Sequence, residues 1–103
     1  MRKLRLFEKE WLLKLDELIE ENLDCSHFTT ESLAFQLNLS KATLYRKVVK
    51  LLNIPPSDYI RQKKLEKARM LASSSPHYSI KELASSVGYR RQDHFAKIYG
   101  TSY

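Results

Sequence analysis

A chain of 103 residues with 43% apolar side chains, two glycines and three prolines suits one domain, or two very small ones sharing an element, and is neither fibrous nor disordered in composition. No apolar run approaches the ~18 residues that span a bilayer, which excludes a membrane-integral reading, and the opening MRKLRLFEKEW lacks the small-residue cleavage pattern of a secretory signal. The net charge of +6 is unevenly spread: residues 7–32 carry two lysines against eight carboxylates, and residues 40–69 carry nine lysines or arginines against two, as if one face met a polyanion and another turned away.

Residues 1–6 are basic and read as a frayed end or linker. From Phe7 to Leu23, Trp11, Leu12, Leu15, Leu18, Ile19 and Leu23 recur at three- and four-residue spacings, which predicts an amphipathic packing helix with an acidic outer face. Asp24 to Phe28 is a loop. Cys25 within it is the chain's lone cysteine, which excludes an internal disulfide and suits a reducing cytoplasm. Thr29 or Thr30 caps a short helix over about 30–37 that buries Leu33, Ala34 and Leu37. Asn38 falls where the chain must turn, and asparagine tolerates a left-handed backbone. Ser40, with Thr43 three residues on, caps the next helix, which runs to about Leu51 and buries Leu44, Val48 and Leu51 or Leu52.

Asn53 and the Pro55-Pro56 pair stop that helix, and Pro56 suits the first turn of a long one over about 57–72. Its apolar positions are Tyr59, Ile60, Leu65, Ala68, Leu71 and Ala72, and Arg61, Lys63, Lys64, Lys67 and Arg69 make the remainder basic. Ser73 to His77 is a break. Ser79 with Glu82 forms a capping box for a fifth helix up to Val87, Gly88 turns the chain, and a sixth helix runs from about Arg91 toward Tyr99 with Phe95 and Tyr99 as its inward pair.

The segment Phe28–Val48 returns as Tyr78–Tyr99. Phe28, Leu33, Ala34, Leu37 and Asn38 match Tyr78, Leu83, Ala84, Val87 and Gly88 at an offset of 50, and Leu44, Arg46 and Val48 match Phe95, Lys97 and Tyr99 at 51. Two helix-turn-helix copies on one basic chain suggest DNA reading, with the second helix of each entering the major groove by its N-terminal half. If Leu44 and Val48 face inward, the outer candidates of the first copy are Ser40, Lys41, Ala42, Thr43, Tyr45, Arg46, Val49 and Lys50. The Arg46 guanidinium suits guanine O6 and N7 bidentately; a phosphate or a carboxylate is its other possible partner. Ala42 suits a thymine methyl, and Tyr45 a base edge or phosphate.

In the second copy Arg91, Gln92, Asp93, His94, Ala96 and Lys97 form the exposed set. Gln92 suits adenine, and Asp93 suits cytosine N4 or simply the positive helix N-terminus. Arg90, Arg91 and Lys97 suit phosphates, as does Lys64 on the basic linker helix. That helix, ~16 residues at ~1.5 Å each, spans about 24 Å, against ~34 Å between successive major-groove openings on one face, so both readers are used together only if packing aligns them or the DNA bends. One chain then reads an asymmetric site, without a dimer. His27, His77 and His94 show no metal-ligand spacing, and neither a Gly-rich phosphate loop nor a nucleophile arrangement is present, so neither enzyme activity nor a cofactor or metal is expected. The rival reading is a helical RNA- or protein-interaction module using the basic helix.

These residues resemble the AraC/XylS-type DNA-binding domain of bacterial transcription regulators. The resemblance rests on Ser32-Leu33-Ala34, Ser40, Leu44 and Arg46; on Pro56, Tyr59-Ile60-Arg61, Leu65 and Ala68; and on Ile80, Leu83-Ala84, Val87-Gly88-Tyr89 and His94-Phe95-x-Lys97, over about residues 28–99. It implies an all-α, homeodomain-like domain over 1–103, with an extra N-terminal helix and a first unit within 7–54, a linker helix over 57–72 and a second unit over 79–103. It also implies seven helices, a role as cytoplasmic, nucleoid-bound output module, RNA polymerase as a partner, and a sensing or receiver domain elsewhere in the full-length protein, as in a two-component system. The isolated domain is expected to be monomeric and to have no membrane contact. Three departures stand out: Pro55 and Arg90 occupy positions where small polar caps are usual, and Tyr99-Gly100-Thr101-Ser102-Tyr103 follows directly where about one further helical turn is expected. A shortened last helix and a missing seventh are the expected consequences.

Overall fold

In the computed structural model, which describes residues 3–75 and 77–102, with side chains as far as Gly100, each local signal can be matched to an element. Six helices follow in order: α1 Leu6–Glu21, α2 Thr30–Gln36, α3 Lys41–Leu52, α4 Pro56–Ser74, α5 Ile80–Ser86 and α6 Gln92–Ser102. The described residues contain no strand. The helix expected over 7–23 ends earlier, because Asn22 caps it: its side-chain Nδ2 donates to the Leu18 carbonyl at 2.7 Å and its backbone N–H to that of Ile19 at 3.1 Å. Leu23 is buried all the same, from the loop.

The two helix-turn-helix turns open with the same closure, and the second runs one residue longer before the next helix begins. After α2, Asn38 takes φ +57°, its N–H donates to Phe35 O, and the Leu39 N–H reaches back to Ala34 O at 2.9 Å. After α5, Gly88 takes φ +79°, its N–H donates to Ser85 O, and the Tyr89 N–H reaches Ala84 O at 2.9 Å. Both are Schellman closures, in which a left-handed residue lets two amides satisfy the last helical carbonyls. The starts repeat as well: Thr29, Ser40 and Ser79 each accept the N–H of the residue three on, and Glu82 completes the box at Ser79 with a 3.2 Å bond. Pro55, by contrast, offers α4 no side-chain cap. Pro56 sits within the helix, which begins one residue earlier than the 57–72 reading and ends two later.

The last helix departs most from expectation. α6 runs through Gly100 to Ser102 instead of stopping near Tyr99, and Gly100 does not adopt a left-handed conformation like that of Asn53, which closes α3 at φ +63°. With no positive-φ residue to turn the chain, the helix continues. The seventh helix implied by the resemblance has no counterpart among the described residues.

Two buried clusters divide the molecule, with α4 contributing to both. The first joins Leu15, Ile19, Leu23, Phe28, Leu33, Ala34, Leu44, Val48 and Ile60; the second joins Leu65, Ala68, Leu83, Ala84, Val87 and Phe95. The change-over falls between Ile60 and Leu65, little more than one turn of a single helix. Ala34 and Ala84, both 2% exposed, are small residues buried at equivalent places in the two units.

α1 is joined to the rest by more than apolar packing. The Tyr59 hydroxyl on α4 donates to Asp16 at 2.5 Å, Lys63 lies 3.8 Å from the same carboxylate, and Lys47 on α3 sits 4.4 Å above the Trp11 ring. So the acidic face of α1, expected on the outside, turns part of itself onto α4. Burial first, and then the Asp16 carboxylate, pushes the Tyr59 phenol well above its ordinary value. A raised folded-state pKa makes this contribution complete below the unfolded value of ~10 and lost as pH rises through the folded one. Chemical denaturation of the wild type and of Tyr59→Phe should therefore show a constant stability difference from pH 6 to 9 that shrinks above pH ~10. A difference that stayed constant into that alkaline range would remove the linkage.

Candidate nucleic-acid interface

The first reading helix is fixed from beneath and open above. Leu44 and Val48 are fully buried, which rolls Lys41, Ala42, Tyr45 and Arg46 to the outside of α3. This is the face that the 3.6-residue period assigns. Ser40 and Thr43 are used structurally: the Ser40 oxygen accepts the Thr43 amide at 3.1 Å, and its hydroxyl donates to Thr43 Oγ1 at 2.8 Å. Arg46 Nη2 lies 3.4 Å from Thr43 Oγ1, a long and exposed contact that leaves the guanidinium plane available. Tyr45 is half exposed, Val49 half-buried, and Lys50 exposed near the helix end. A cleft lined by Phe7, Glu8, Thr43, Arg46, Lys47, Lys50 and Leu51 runs between the start of α1 and this helix. The apolar Phe7 beside the reading helix is a feature that helical periodicity, which assigns it only to a helix end, does not reveal.

On α6 the N-terminal residues Arg91, Gln92, Asp93 and His94 are all exposed, as is Lys97, above a fully buried Phe95 that stacks on Tyr99 at 5.3 Å. Ala96, expected outside, is half-buried. Asp93 is already engaged. Arg91 donates to it through Nη2 at 2.8 Å, and this hydrogen bond holds the Asp93 carboxyl below, and the Arg91 guanidinium above, their ordinary values. The pair is fully solvated, so a competing phosphate or base displaces it at little cost.

Two basic residues expected on phosphates have partners within the protein, although Arg90 and its contacts stay exposed. Lys64 is half-buried with its ammonium 5.3 Å above the Tyr89 ring, and burial lowers its pKa. Arg90 turns away from α6: its Nε donates to Ser26 Oγ at 3.2 Å, and its Nη2 lies 2.8 and 2.7 Å from the two ring nitrogens of His27. Both contacts cross more than sixty residues of sequence, and only the fold brings the partners together. Among the described residues no group of three or more His, Cys, Asp or Glu side chains is placed to hold a metal ion, and no helix is long and apolar enough to cross a membrane.

Residues 33–103 match the family model described as a helix-turn-helix domain. The C-terminal domain of the two-component response regulator YesN from Fusobacterium nucleatum superposes with a TM-score of 0.84 at 30% identity, over 91% of this chain and 90% of that one. This chain belongs to the AraC-type helix-turn-helix family. A second AraC-type likeness is the C-terminal domain of AraT, a response regulator from Geobacillus stearothermophilus, with a TM-score of 0.81, 27% identity, and coverage of 98% and 79%. Among curated proteins, the HTH-type transcriptional regulator MtrA of Neisseria gonorrhoeae is 26% identical over 92 residues, and Histidine kinase P4 of Formosa agariphila is 23% identical over 92 residues. These matches take in 87% and 89% of this chain but only 30% and 7% of those proteins, so the AraC-type chain spans less than a third of either relative. AraC-type domains are DNA-binding domains of transcription regulators, which makes this a DNA-binding domain and not an enzyme fold.

Proposed function

We propose that this domain reads double-stranded DNA sequence-specifically as the output module of a bacterial transcription regulator, with α3 as the principal reader and α6 as the second. The observation that carries this is the N-terminal half of α3: a Ser40-capped helix held by Leu44 and Val48, with Lys41, Ala42, Tyr45 and Arg46 facing out. Arg46 supplies base recognition, Ala42 suits a thymine methyl, and Lys41 and Lys50 neutralise phosphates. On α6, Gln92 and His94 face the bases while Arg91 and Lys97 meet the backbone, with Asp93 exchanging Arg91 for a base amine. The response-regulator and transcriptional-regulator relatives support a receiver or sensing domain in the full-length protein, RNA polymerase as a partner and a place at the bacterial nucleoid. Lys63 on Asp16 and Lys64 on Tyr89 take two cations of the basic linker helix into contacts within the domain, which weighs against a dedicated RNA or acidic-partner surface there.

Competition titrations of wild type and Arg46→Ala against cognate duplex, random duplex and duplex RNA test this reading. Arg46→Ala should lose about 1–3 kcal/mol on the cognate site and much less on random DNA. Equal losses on both would reduce Arg46 to a phosphate contact. Wild type binding RNA as tightly as the cognate duplex would sink the DNA reading altogether.

A further inference from the structure

The two units have separate cores, and the helix packing of α5 and α6 is with each other and with α4. Two lobes that share only a connecting helix move relative to one another by default unless further contacts join them. The loop after α1 also brings the lobes together. Gly88, at the turn of the second unit, lies so close to the loop after α1 that a Cβ on it would stand 2.8 Å from the Leu23 carbonyl oxygen and 3.0 Å from that of Cys25. Two residues on, Arg90 reaches across the same seam to Ser26 and His27. Lys64 of α4 covers Tyr89 between them. Backbone against backbone at Gly88 and a guanidinium fork at Arg90 give two attachment points beyond the linker helix.

From this we infer that the loop Leu23–His27 and the turn Gly88–Arg90 form a joint that fixes the second reading helix relative to the first, with Arg90 as the positioning residue that sets which spacing of two DNA segments the domain accepts. The spacing consequence rests on the two-reader function proposed above; the joint itself does not. Two linked readers gain from each other only when their geometry lets both engage at once. A rigid joint makes that gain steep in spacing, and a loosened one makes it shallow. The Arg90 fork needs both a hydroxyl and an imidazole nitrogen to accept, and a lysine, with one compact ammonium, does not reproduce it.

The test uses the whole 103-residue chain as wild type, Arg90→Ala, Arg90→Lys and His27→Ala. Residual dipolar couplings report the orientation of the two lobes without DNA, and titrations on the selected duplex, with and without two base pairs inserted between its segments, report spacing. Wild type should fit a single alignment frame and lose about tenfold or more on insertion. All three variants should require two frames, bind the unaltered site several-fold more weakly, and lose no more than about threefold on insertion. A single frame in Arg90→Ala would overturn the joint. So would rescue by Arg90→Lys, with the salt slope of Arg90→Ala lowered by about one, because that is the mark of a phosphate contact. Wild type that kept one frame yet ignored the second DNA segment would overturn the two-reader reading while the couplings upheld the joint.

Discussion

Phe95→Ala is expected to unfold α5 and α6 well before the first unit. Phe95 is fully buried in the second cluster, with Tyr89 and Tyr99 each 5.3 Å away ring to ring. Truncating such a side chain costs about 3–5 kcal/mol, a large share of the 5–15 kcal/mol typical of a whole domain. The loss falls on one side of the molecule because the other core ends at Ile60. Trp11, the only tryptophan, packs against the first core, so its fluorescence follows α1 to α3 alone, while helical circular dichroism follows everything. In the variant the dichroism should fall in two steps, the fluorescence only with the later one. Coincident transitions shifted together would mean that the two clusters unfold as one cooperative core.

Gly88→Ala is the second large effect, and it comes from the backbone. An alanine at φ +79° costs roughly 1–2 kcal/mol for the left-handed conformation, and displacing the Leu23 and Cys25 carbonyls, which are main chain and cannot rotate aside, raises the total to roughly 2–5 kcal/mol. Gly100→Ala is the control: nothing lies within 4 Å of its Cβ position, and its φ is not positive. There the same substitution should be neutral or stabilise by up to about 1 kcal/mol, since glycine inside a helix is unfavourable. Thermal melts of the two variants should move in opposite directions or differ by several degrees. Similar melts would mean that the seam at Gly88 yields without cost.

What could be read from the chain was local. Ser40, Ser79 with Glu82, Asn38 and Gly88 each act on neighbours within five residues, and caps and Schellman turns are written in such short intervals. The buried stripe of α3 followed from the spacing of Leu44 and Val48, and so did the outward placing of Arg46 and Tyr45. What escaped was long-range or a matter of degree. Asp16 meets Tyr59 across 43 residues, and Arg90 meets His27 across 63. No periodicity carries either pairing, and charge counting, which pointed Arg90 and Lys64 to phosphates, gave no sign of their contacts with His27 and Tyr89. The end of α1 moved because Asn22 competes for the last carbonyls. α6 ran on because glycine permits a turn without requiring one.

On the proposed function, one chain reads an asymmetric two-part site, mostly through Ser40–Val49. Selection of bound duplexes from a random DNA pool tests it most directly. A strong segment and a weaker one at fixed separation in fixed orientation are the expected result, with Arg46→Ala blurring the strong segment only. A single short motif with random flanks, or no enrichment over the starting pool, would contradict it.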